Sequence, residues 1–255
     1  MLPRRHSARI LLVVFLVAVL IRLVALPFGS ALALVSTWFA LPLLIEMLWV
    51  STDPPRSRLV RWWTAGLVLL LLADIAAEAL TDSIRLAAVS GLLILAMGAQ
   101  WSALWPFRHE TFLTYEKGWI WIYVVGFGTL VFAVVGPAGA LLVPVLLAAL
   151  AAAVVGVLAS GLGLLAAGGG ILAFLAACVV LISGSLGTAG PATAIGSAVL
   201  GMSGQALMLL AIIKHEEREL DGRREPLVAR LHLTPESEGR PASGGHQAAC
   251  IESSA

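Results

Sequence analysis

Residues 65–80 read AGLVLLLLADIAAEAL. Asp74 closes a run of leucines, and Glu78 follows four positions later. On a helix these two carboxylates stand one above the other on a single face. The apolar block that holds them, 62–80, is close to the ~20 residues needed to cross a bilayer. A carboxylate at such depth is expensive, so its presence bears on function as much as on fold.

The rest of the chain has the same character. It is 255 residues long, 60% hydrophobic and only 12% charged, with a mean hydropathy of +0.97. Soluble domains carry roughly 25% charged residues. Charges are nearly absent between 119 and 213, and they gather in the N-terminus, two loops and the C-terminal tail. Eight hydrophobic segments can be drawn, at 10–28, 31–50, 62–80, 84–105, 118–136, 138–159, 169–187 and 192–213. The expectation is an all-α, polytopic transmembrane helical bundle of about eight spans. Residues 1–9 would be an N-terminal stub, 10–213 the transmembrane domain and 214–255 a polar tail, disordered beyond Pro226. Pro144 falls inside the sixth segment, where a kink is expected.

Basic residues set the orientation. Arg4, Arg5, Arg9, Arg56, Arg58, Arg61, Arg108, Lys117 and the tail from Lys214 fall on one side, against Arg85 alone on the other. Both termini are therefore expected in the cytoplasm. Arg4-Arg5 with the apolar stretch and Ala31-Leu32-Ala33 also admits a cleaved signal peptide, but Arg22 interrupts that stretch.

Soluble chemistries leave no trace. Sheet, Rossmann, phosphate-loop and zinc signatures are missing, and GGG at 168–170 lacks the Lys-Ser/Thr of a phosphate loop. Those glycines suit close helix packing or a flexible turn. No cofactor, metal or nucleic-acid partner is expected. Cys178 lies in an apolar span and Cys250 in the tail, so no disulfide is expected either.

The polar residues within spans make a short list: Arg22, Glu46, Asp74, Glu78, Gln100 and Gln205, with Cys178 as a soft addition. Arg22 and Asp74 each lie twelve positions past the cytoplasmic start of their spans, at about 18 Å depth. Two readings stand. Arg22 with Asp74 or Glu78 is a structural ion pair, or Asp74 belongs to a polar chamber that does acid–base work on a buried substrate.

AGLVLLLLAD (65–74) also resembles a segment of the YhhN-like lysoplasmalogenase family, which reads Ala-Gly-Leu, several apolar residues, then Gly-Asp. PVLLAALAAAVVG (144–156), GGGILAFLAAC (168–178) and VLGMSGQAL (199–207) are similar to later landmarks of that family, in order, across residues 30–213. The resemblance implies eight spans around a polar chamber. It also implies hydrolysis of the vinyl ether bond of lysoplasmalogens, giving a fatty aldehyde and a glycerophospho-base. Of the family's two catalytic aspartates, the first falls on Asp74 and the second on Cys178. Its span-four histidine falls on Ala99, a nearby tyrosine on Ser102 and its span-eight tyrosine on Gly201, while Gln205 is kept. Glu78 and Glu46 are the carboxylates that could stand in for the missing acid, and Arg22, Gln100 and Gln205 would complete the chamber. Three functions are thus expected in turn. The first is a lysophospholipid ether hydrolase with Asp74 as acid or base. The second is a non-catalytic protein binding a membrane lipid, lysophospholipid or other amphiphile in the same chamber. The third is a transporter or membrane-complex subunit. Arginine over lysine and spans rich in Ala, Leu, Val and Gly suit a bacterial plasma membrane.

Overall fold

The computed structural model describes residues 6–25, 31–80, 82–111, 117–188 and 190–232, with side chains left undescribed at 31–38, 78, 82–83, 117, 191 and 222–232. Among the described residues the chain forms eight α-helices and no strand. They are α1 (His6–Ala25), α2 (Ala31–Ser51), α3 (Arg58–Ala79), α4 (Asp82–Leu104), α5 (Ile120–Val134), α6 (Leu142–Ala159), α7 (Leu164–Leu186) and α8 (Pro191–His232). Six of them, α1, α3, α4, α6, α7 and α8, are long and apolar enough to cross a membrane. α5 has 15 residues and covers about 22 Å of a ~30 Å hydrocarbon core. The apolar part of α2 within reach of side-chain description, Phe39–Ser51, is also short.

Large apolar side chains on the outside show what solvent this bundle is built for. Phe132 is 92% exposed and Leu164 83%, and α1 turns Val13, Leu16, Leu20 and Val24 outward. In water such surfaces would drive aggregation, whereas lipid tails cover them at no cost. The helices close their own backbone hydrogen bonds, as a membrane interior requires.

Antiparallel neighbours form the bundle. α3 packs most extensively on α4, α1 on α2 and α6 on α7. α7 packs against α4, α5, α6 and α8, and two adjacent glycines seat it. Gly169 faces α8, where an added Cβ would come within 2.7 Å of the Gly204 carbonyl oxygen. Gly170 faces α6, where a Cβ would lie 2.6 Å from the Cα of Gly156. Successive helical positions point about 100° apart, so two glycines in a row let two helices approach α7 on two sides. The triplet at 168–170 is thus packing inside a helix, and the flexible-turn alternative is not realised. The breaks lie outside it, at Gly163 (φ 112°) and Gly187 (φ 64°), both in backbone conformations that favour glycine.

Two other sequence expectations are corrected. Pro144 is the third residue of α6, in the first turn, where its missing N–H has no intrahelical partner to lose, so it is no interior kink. A proline that does fall inside a helix is Pro42 in α2. α8 also continues through Pro226 to His232 rather than ending before it. Its polar end is rich in Glu, Arg and Leu, strong helix formers that offset one proline. Among the described residues, those up to Glu217 belong to one compact unit and those from Arg218 to His232 to a second.

One end of the first unit is aromatic and basic. Trp49 ends α2 and donates through Nε1 to the Thr64 hydroxyl on α3 at 3.2 Å, while Arg56 lies 4.1 Å over its ring. Trp62 and Trp63 open α3, Trp101 and Trp105 close α4, and Trp119 and Trp121 open α5. Phe107 meets His215 of α8 edge-on at 4.9 Å and also abuts Gly161 at the end of α6. With Tyr123 of α5 set against Gly156 near the end of α6, these contacts and the helix directions bring seven of the eight tryptophans to the same end, the arrangement of an interfacial aromatic belt.

Candidate functional site

A cavity of about 600 Å³ opens between α3, α4, α7 and α8, with α1 and α2 touching its flank. Each of the four helices gives it one stripe. Leu70, Ala73, Asp74 and Ala77 of α3 follow the spacing of a single helix face, as do Ala173, Ala176, Ala177 and Val180 of α7. The void exists because α7 and α8 present small residues there, including Ser183, Gly184, Ala194, Ser197 and Gly201. Larger side chains at those positions would fill the space with protein atoms.

The cavity begins at the end opposite the tryptophans, where Arg85 and Gly190 line it, and runs inward to Met97 and Gln205. From Pro191 to Gln205 is about 21 Å along α8, some two-thirds of a ~30 Å hydrocarbon core. At the inner end Gln205 accepts a hydrogen bond from Gln100 Nε2 at 3.1 Å. Both amides are buried, and Oε1 of Gln100 has no partner among the described residues. Gly66, in the AGL of the opening stretch, makes room for this pair, since a Cβ there would come 2.7 Å from Cγ of Gln100.

The expected site residues divide as follows. Arg22, Asp74 and Gln205 share the cavity wall, and Gln100 supports Gln205 from behind. Asp74 is half-buried and engaged in a polar interaction. Nε and Nη1 of Arg22 are buried with no hydrogen-bond partner among the described residues, so neither nitrogen hydrogen-bonds Asp74. The side chain of Glu78 lies outside the described residues. Glu46 is exposed on α2 and is not part of the cavity wall. Leu44, Met47 and Leu48 take the inner face of α2 and turn Glu46 away from it. Cys178 is buried but also off the wall. Its neighbour Ala177 faces the cavity, while its thiol points to α5, 4.0 Å from the carbonyl oxygen of Gly126.

Asp74 is the sole carboxylate among the described residues that line the cavity. Two-carboxylate hydrolysis sets its acids across the substrate, and among the described residues no second one faces Asp74. Sequence reasoning counted Arg85 only as the one basic residue of the far side and did not name it as a site residue, whereas it lines the cavity. It also missed the stripes of Ala, Gly and Ser. Their spacing of three and four along two consecutive spans was the available signal, and on its own it reads equally as tight packing.

No protein-family model, curated protein or solved structure matches this chain.

Proposed function

We propose that this is an integral membrane protein that binds a single-chain amphiphile, holding the apolar chain in the cavity between α3, α4, α7 and α8. One observation carries the reading: a cavity of about 600 Å³, walled mostly by Leu, Val, Met and Ala, with its charged groups confined to the wall near one end. That volume falls within the ~300–1,000 Å³ of small-ligand pockets. Its length of about 21 Å exceeds one leaflet of a ~30 Å core, which suits one chain entering from the membrane. All eight helices are taken to be embedded, with the basic, tryptophan-rich end and both termini on the cytoplasmic side. A bacterial plasma membrane is the setting that the composition suits.

The test is saturable binding of a fluorescent alkyl probe by the full chain in nanodiscs. Wild type should bind, and Ala177→Trp, which fills the cavity from α7, should not. Absence of saturable binding by folded wild type would refute the reading.

A second reading, YhhN-like hydrolysis, is favoured by one feature: Asp74 lies on the cavity wall. Aldehyde release from a lysoplasmalogen separates the two. The binding reading expects none. Release that disappears in Asp74→Asn would make the protein an enzyme.

A further inference from the structure

Two guanidinium groups meet the cavity at its open end. Arg22 stands in the last turn of α1 and Arg85 in the first turn of α4, both at the end opposite the tryptophans. The lining around that level is small and only weakly polar, with Ser183, Gly184, Gly190 and Thr193. Asp74 is the one carboxylate set against these two cations among the described lining residues. Nε and Nη1 of Arg22 are shielded and have no hydrogen-bond acceptor among the described residues. Donors of this kind are normally satisfied when buried, and an arginine inside a membrane normally finds a partner. Arg22 as a whole is only partly buried and lines the cavity, and its Nη2, which is not among the shielded nitrogens, is the donor left to meet what enters.

We propose that Arg22 and Arg85 form a head-group subsite for a compact oxyanion, so that the amphiphile held here is acidic, such as a single-chain phosphate monoester. This rests on the amphiphile-binding reading and adds the head-group chemistry to it. Guanidinium groups suit the assignment because they pair with phosphate and carboxylate oxygens through short, charge-assisted hydrogen bonds. The apolar wall below takes the chain, and the oxyanion stays at the level of the two arginines.

The test uses the full chain in nanodiscs and three probes: dodecyl phosphate, dodecyl maltoside and inorganic phosphate. Each displaces a bound fluorescent alkyl probe, and variants are compared with wild type for the same probe, which cancels partitioning into the bilayer. Arg22→Gln should weaken dodecyl phosphate by about tenfold or more, the scale of a lost charged hydrogen bond. It should leave dodecyl maltoside unchanged. Arg85→Gln should act in the same direction, and it carries the test if Arg22→Gln does not fold. Equal effects on both dodecyl probes, or none on either, would overturn the proposal. Displacement by inorganic phosphate at concentrations similar to dodecyl phosphate would also overturn it, since the site would then belong to a free ion. Failure of wild type to bind even dodecyl maltoside would instead sink the underlying amphiphile reading, and the two failures are thereby told apart.

Discussion

Gly156 and Gly170 meet backbone to backbone, and nothing larger than hydrogen fits between them. A Cβ on Gly170 would lie 2.6 Å from the Cα and 2.7 Å from the carbonyl oxygen of Gly156, neither of which can rotate away. Gly170→Ala should cost about 1–3 kcal/mol by overpacking. Gly168→Ala, two residues earlier in the same helix, meets nothing within 4 Å. It should be neutral or stabilising by up to about 1 kcal/mol through helix propensity. Unfolding in mixed micelles checks both, and equal behaviour of the two variants would refute the packing account.

The amide pair at the inner end of the cavity should show modest coupling. Hydrogen bonds between membrane helices are worth about 0.6 kcal/mol on average and up to about 1.7. A double-mutant cycle of Gln100→Leu and Gln205→Leu should return a value in that range. Repeated in a Gly66→Ala background the coupling should vanish, because the new Cβ displaces the Gln100 side chain. Persistence of the coupling there would separate Gly66 from the pair.

Ser57 ties the start of α3 to the end of the membrane unit. Its hydroxyl accepts from the Val60 amide at 3.2 Å and donates to Glu216 Oε1 at 2.5 Å. Ser57→Ala loses both bonds and should cost about 0.5–2 kcal/mol, the usual value of an N-cap. Glu216→Gln keeps an oxygen acceptor and should cost less. Hydrogen exchange at the first amides of α3 should quicken in Ser57→Ala and barely change in Glu216→Gln.

Cys178 should be inert. In a Cys250→Ser background, maleimide should modify the folded protein far more slowly than the unfolded one, because the thiol is buried against α5. Cys178→Ala should keep amphiphile binding, measured with the same alkyl probe. Cys178→Asp puts an acid between helices and should destabilise by about 3 kcal/mol, the insertion cost of a mid-membrane aspartate. Faster turnover in Cys178→Asp would reverse this account and favour the hydrolytic reading.

Position along each helix was legible in the sequence and facing was not. The rise per residue puts Arg22, Asp74 and Gln205 at usable heights, and all three do line one cavity. Facing must be read from periodicity, and a helix apolar all round offers little. Glu46 therefore looked like a chamber residue although it faces outward from α2. Arg85 stood at the very start of the fourth segment and was weighed only for sidedness, because the boundary between the third and fourth segments is too short to separate by composition. The cavity was hidden for a related reason. A wall of Ala and Gly reads the same whether a neighbouring helix closes on it backbone to backbone, as at Gly170, or stops short and leaves a cavity alongside, as at Gly201.

Because Trp49, Trp62, Trp63, Trp101, Trp105, Trp119 and Trp121 crowd one end of the bundle, ultraviolet emission comes largely from a single face of the membrane. The molecule thus carries its own reporter of sidedness. A charged quencher that stays outside sealed vesicles would dim most of the signal in one orientation and little of it in the other, with no label attached.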